Sequence, residues 1–207
     1  FDPGQKSASL KWQAVAQRTA IEVLDYINGV ALANPPAVQA IAGSPDDMYI
    51  FYRSDLPGYA DWKLKESTSY DDLLDFLNGQ GVYVGRKPVA NAIFVDRDKY
   101  YVFYRGEDVN AKWARVTTTG MDEMTKFMNG QSPNPSAHTG TIGGHSEKSP
   151  TVLYRADQTG SNRWAWREVT NVTDLRNFLN GADRYLIPVI NAHIMHNGDN
   201  FFVFYAR

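Results

Sequence analysis

Short alternating segments and short amphipathic stretches follow one another along this chain in a fixed order, and the order recurs four times. Each round opens on a tryptophan: Trp12-Gln-Ala-Val15, Trp62-Lys-Leu-Lys65, Trp113-Ala-Arg-Val116 and Trp164-Ala-Trp-Arg-Glu-Val169. Their alternation predicts edge-type strands with one buried face. A stretch with apolar residues three and four apart comes next: Ala20, Val23, Tyr26 and Ile27; Tyr70, Leu73, Phe76 and Leu77; Met121, Met124, Phe127 and Met128; Val172, Leu175, Phe178 and Leu179. That spacing puts the side chains on one stripe and predicts a short helix lying on a sheet or filling a gap between sheets.

The ends of these helices are marked. Glu22, Asp72, Glu123 and Asp174 each stand three residues after Thr19, Ser69, Gly120 or Asn171, a capping-box arrangement complete in three copies. An acid in the first turn also meets the positive end of the helix dipole, a contribution of about 0.5–1 kcal/mol, so these carboxylates read as structural. Each helix stops at Asn-Gly, at 28–29, 78–79, 129–130 and 180–181, where glycine is free to take the left-handed conformation. Two further strands follow: Ala37–Ala42 with Met48–Arg53, Val89–Phe94 with Tyr100–Arg105, and Val189–Met195 with Phe201–Tyr205, joined by turn-forming residues. In the third copy Ser136–Ile142 is Gly-rich and weak, with a longer loop to Val152–Arg155.

The tryptophans recur every 50, 51 and 51 residues, and each stands 17 residues before the Gly of its Asn-Gly. A period of that size means stacked or radially arranged supersecondary units. Four units use essentially all 207 residues, so 1–207 is expected to be one domain. Read as a three-stranded antiparallel meander followed by a helix, the unit is out of phase with the chain, which starts at the third strand and ends after the second. A ring in which the Trp12 strand completes the sheet begun by Val189–Tyr205 removes both raw edges. The expected fold is mostly β: a four-bladed β-propeller closed by the N-terminal strand. The alternative is a pentein-like or other pseudo-symmetric αβ ring.

Val89-Ala-Asn-Ala-Ile-Phe94, then Tyr101-Val-Phe-Tyr-Arg-Gly106, then Lys112-Trp-Ala-Arg-Val116 and a short helix resemble the blade pattern of the hemopexin-like repeat proteins, including the legume seed albumins of that fold. The likeness covers the whole chain in period and element order. It departs where Gln39, Asn91 or Asn191 replaces the acidic residue that leads the family's inner strand, and in the lack of cysteine. The resemblance implies a non-enzymatic protein with haem, a polyamine or a metal ion such as calcium or sodium in an axial channel.

Composition narrows the classes. A net charge of −2 without any Lys/Arg run gives no footprint for nucleic acid. No stretch is apolar enough to span a bilayer, and FDPGQKSASL does not read as a signal peptide. Absence of cysteine removes disulfides and thiolate chemistry and mildly favours the cytoplasm over secretion for a soluble protein. No nucleophile elbow, His-Glu-x-x-His or phosphate loop is present, so no enzyme is expected. All four histidines, His138, His145, His193 and His196, fall in or just after the first inner strand of units three and four. Neutral imidazole ligates metals and haem iron, which makes His138 and His193 candidate channel ligands. Gln39, Asn91 and Asn191 would ring the same channel with amides able to hold a hard cation, near Asn91 and Asn191 above all. A second candidate is a glycan site repeated on each blade, built from Arg53, Arg105 and Arg155 with Trp62, Trp113 and Trp164; Arg beside an aromatic and an acid suits a sugar or an acidic ligand. The competing structural reading has the rings filling space between blades and each Arg pairing with a nearby Asp.

Overall fold

The computed structural model describes residues 11–30, 32–44, 47–85, 87–96, 99–131, 139–143, 148–182, 189, 191–197 and 200–206; for residues 44, 89–96, 139–143 and 191 the backbone alone is described. The first unit comprises β1 (Trp12–Gln17), α1 (Ala20–Ile27), β2 (Ala37–Ser44) and β3 (Asp47–Arg53). The second comprises β4 (Lys63–Ser67), α2 (Tyr70–Asn78), β5 (Pro88–Asp96) and β6 (Lys99–Glu107). The third comprises β7 (Trp113–Thr117), α3 (Met121–Met128), β8 (Thr139–Gly143) and β9 (Thr151–Arg155), and the fourth β10 (Trp164–Val169), α4 (Val172–Asn180), β11 (Asn191–His196) and β12 (Phe201–Ala206). The protein is mostly β, in four small antiparallel sheets. No helix among the described residues is long and apolar enough to cross a membrane.

The helices begin where the apolar stripe begins. Thr19, Ser69 and Asn171 accept the N–H of Glu22, Asp72 and Asp174 at 3.2, 3.1 and 2.8 Å. The reciprocal bond of a capping box reaches one residue further back in the first copy, where the Glu22 carboxylate accepts from the Arg18 N–H at 2.9 Å. Gly120 has no side chain to cap with, and Glu123 takes the Thr119 N–H and hydroxyl instead, at 2.7 and 2.8 Å. Gly29, Gly79, Gly130 and Gly181 all have positive φ, as the helix stops require.

Sheet membership corrects one expectation. Trp12 lies opposite Arg53, and β1 pairs along its length with β3 of its own unit; the last sheet is completed by β10, which pairs with β12. The N-terminal strand therefore does not complete the final sheet, and the unit is strand–helix–strand–strand rather than a meander followed by a helix. The strand order is first, third, second in every sheet. The physical reason is that the first and second strands run in the same direction, so they need a crossover, which the helix supplies, and the third strand returns by a hairpin into the space between them.

Each helix fills the layer between its own sheet and the next. Val23 and Ile27 pack with Ile41, Ile50, Trp62 and Phe103; Leu73 and Leu77 with Val102, Trp113 and Leu153; Met124 and Met128 with Val152, Trp164 and Phe204. Leu175 and Leu179 pack with Val203 on one side and with Trp12, Ala40 and Phe51 of the first unit on the other. The last unit thus packs on the first through the same kind of layer that joins the rest.

The asparagine of each Asn-Gly makes this junction specific. Its amide spans both main-chain groups of the next tryptophan: Asn28 with Trp62 at 2.7 and 3.1 Å, Asn78 with Trp113 at 2.7 and 2.9 Å, Asn129 with Trp164 at 2.7 and 2.9 Å. The fourth clip joins Asn180 to Trp12 at 2.7 and 3.0 Å, across 168 residues of sequence. The Trp12 indole also donates to the Val189 carbonyl at 2.8 Å, and Tyr49 meets Phe201 edge-on with ring centroids 5.2 Å apart.

Candidate functional site

The second strands of the four units come together. β2 contacts β5, β5 contacts β8, β8 contacts β11, and β11 contacts β2. Two of these strands are bulged, β2 between Val38 and Ala40, β5 between Pro88 and Ala90 and again between Ala90 and Ala92. A bulge leaves a residue outside the ladder. Gln39 is such a residue, and Asn91 occupies the same register, since Ala40 faces Phe51 as Ala92 faces Phe103. Asn191 does not match them: it sits in the ladder opposite Ala206. The expected ring of amides is therefore two equivalent positions and one displaced. The Gln39 amide donates to the Ala37 and Val38 carbonyls of its own strand, both at 3.2 Å.

His193 takes the register position held by Ala40 and Ala92, opposite Phe204. Its ring lies on the Trp164 indole, with centroids 5.1 Å apart and planes 26° from parallel. Met195, two residues on and so on the same face, belongs to the layer between the third and fourth sheets. His196 projects the other way, against Phe201 at 4.3 Å and Tyr49 at 5.7 Å, so the two histidines occupy opposite faces of β11, as their spacing predicts. His138 and His145 lie outside the described residues.

Burial pushes the His193 imidazole down to about 4, which keeps it neutral at physiological pH. In the unfolded chain its pKa returns to about 6.5, so between those values the unfolded state binds the proton that the native state refuses. Stability is expected to fall as pH drops through that window. Urea midpoints at about pH 7 and about pH 4.5 check this: the drop should shrink in His193→Phe, and equal drops in both proteins would contradict it.

Of the two histidines expected as haem ligands, His193 has its ring stacked on the Trp164 indole and His138 lies outside the described residues. Among the described residues no three His, Asp or Glu side chains gather to hold a metal ion. The backbone carbonyls along the approaching second strands remain the available donors for a hard cation.

The arginine and tryptophan positions have structural partners. Arg53 pairs with Asp55 through Nε at 2.6 Å and through Nη2, and Asp55 also accepts the Lys11 N–H at 3.1 Å. Arg155 pairs with Asp157 at 2.8 and 2.6 Å and with Asp108 at 2.8 Å, while Asp157 accepts the Lys112 N–H at 3.0 Å. The guanidinium beside each acid holds the Asp55 and Asp157 carboxyls well below the usual range. These groups rivet the end of a third strand to the start of a tryptophan strand. Arg105 differs: its guanidinium lies over the Tyr59 ring at 4.0 Å, and its buried Nε has no hydrogen-bond partner. Trp62, Trp113 and Trp164 are 5, 8 and 5% exposed, so none offers an indole face to a sugar ring in solvent.

The four asparagine clips were not anticipated, although a fixed interval of 34 or 35 residues from Asn to the next Trp was present as a signal. Also unforeseen was a cleft of about 590 Å³ on the first unit, between the loop following α1 and the loop following β3. Comparison with family models, curated proteins and solved structures finds no match to this chain.

Proposed function

We propose that this chain is a non-enzymatic binding protein built as a hemopexin-like four-bladed ring, with a small cationic ligand, a metal ion or a polyamine, on its axis near Gln39, Asn91 and Asn191. The observation that carries this reading is the cyclic approach of β2, β5, β8 and β11, in which the last unit meets the first through the same layer and the same Asn–Trp clip as the others. Each of these strands is the free edge of its sheet, so its outward carbonyls have no ladder partner of their own. The Gln39 amide already donates to two carbonyls of β2, those of Ala37 and Val38. A cation or an alkylammonium chain on the axis supplies the same service to the rest. Each unit has three strands with a helical crossover in place of the meander expected from the sequence pattern.

The test is a calorimetric titration of the protein with calcium chloride, with spermine and with hemin. One-to-one saturable binding of calcium or spermine, abolished in an Asn91→Leu/Asn191→Leu variant that keeps the wild-type Tm, is expected. Hemin is expected to give no saturable Soret shift. Failure of both cations to bind, or a one-to-one hemin complex lost in His193→Ala, would overturn the reading.

A further inference from the structure

In each unit the third apolar position of the helix packs against the tyrosine near the end of the third strand. The pairs are Tyr26 with Tyr52, Phe76 with Tyr104, Phe127 with Tyr154 and Phe178 with Tyr205, at centroid distances of 6.1, 5.1, 5.2 and 4.9 Å. Three copies use phenylalanine, and the first alone places a hydroxyl there. That copy also has the cleft of about 590 Å³ beside the pair. In the second unit the corresponding space is occupied, because Tyr83 folds edge-on against Phe76 at 5.2 Å. Among the described residues, the polar substitution and an open space coincide in the first unit.

The walls are fixed. Gly58 lies so close to the other loop that a Cβ there would stand 2.1 Å from the Pro35 carbonyl oxygen and 2.4 Å from that of Pro36. Gly29, in the left-handed region at φ 76°, lies against Pro35 on its other side. Walls locked in this way lose little freedom when a ligand enters. The volume is in the range of sites for small molecules, about 300–1,000 Å³.

The lining selects the ligand. Arg53 is the one charged side chain facing the cleft, and Asp55 neutralises it. An anionic ligand would have to compete with that ion pair. The Tyr26 and Tyr52 rings pack with centroids 6.1 Å apart and both line the cleft, and burial, with Tyr52 beside it, pushes the Tyr26 hydroxyl well above its ordinary pKa. Two phenol hydroxyls bring donor and acceptor capacity to the cleft, and Asn34 and Ser54 add an amide and a hydroxyl. Leu32, Leu56 and the prolines supply apolar surface for C–H faces.

We infer that the cleft between Tyr26, Asn34 and Tyr52 is a binding site for an uncharged sugar of one or two residues, one per chain. It is separate from the axial site and independent of it. Saturation-transfer NMR with glucose, galactose, mannose, N-acetylglucosamine, cellobiose, maltose and lactose tests it, with glucuronate as the charged control. At least one neutral sugar is expected to receive saturation, with affinity falling about five-fold in Tyr26→Phe, the size of one lost hydrogen bond. Tyr26→Phe restores the residue of the other three copies, so it retains the fold. Ala33→Trp, which fills the cleft from an exposed loop position, is expected to abolish binding, while spermine and calcium titrations stay unchanged in both variants. No saturation of any neutral sugar, preference for glucuronate, capture of a polyproline peptide in place of sugars, or equal binding by wild type and Ala33→Trp would overturn the inference.

Discussion

Trp12→Ala is expected to destabilise the protein by about 3–5 kcal/mol, the range for deleting a fully buried large aromatic. Trp12 is 0% exposed and lies among Phe51, Leu179, Val203 and Tyr205, residues of the first and fourth units. Its removal leaves a cavity between those units and strips the Val189 carbonyl of its indole donor. For a chain of this length the loss corresponds to roughly 10 °C in Tm. Urea unfolding measures it through the midpoint at unchanged slope. A loss below about 1 kcal/mol would mean that Trp12 is not held between the first and last units.

Asn180→Ala is expected to cost about 2 kcal/mol, because one truncation orphans both the N–H and the C=O of Trp12 in a part-buried setting. The informative comparison is with Asn28→Ala, Asn78→Ala and Asn129→Ala, whose clips have nearly the same geometry. If the fourth junction is equivalent to the other three, all four variants lose similar stability. A loss from Asn180→Ala that is several-fold smaller than the rest would describe a linear array with a loose end.

Local structure was legible in the sequence, and long-range pairing was less so. The apolar stripes located all four helices to their first residue, the caps on Thr19, Ser69 and Asn171 followed from side-chain chemistry, and the Asn-Gly glycines needed positive φ wherever they fell. These depend on interactions within a few residues. Assignment of the tryptophan strands failed because adjacency along the chain was taken as adjacency in the sheet. The warning was in loop length: residues 54–62 separate β3 from β4, far more than the two residues between β2 and β3, where Ser44 faces Asp47. The candidate site was the least legible part. His193 reads as a channel ligand by its position in a strand, but only packing shows its ring committed to Trp164. Gln39 and Asn191 look alike in sequence, yet a bulge separates their registers. The Tyr26 hydroxyl was one letter in an apolar stripe, and its meaning emerges only beside the cleft.

Contact between the first and last units is the claim on which the rest stands, and aromatic NOE spectroscopy on the isotope-labelled protein tests it most directly. Cross-peaks are expected from the Tyr49 ring to the rings of Phe201 and His196, and from the Trp12 indole to Val189, residues that are distant in sequence and meet only if the fourth unit packs on the first. Strong cross-peaks within each unit, such as between the rings of Phe178 and Tyr205, together with none between Tyr49 and Phe201, would contradict it.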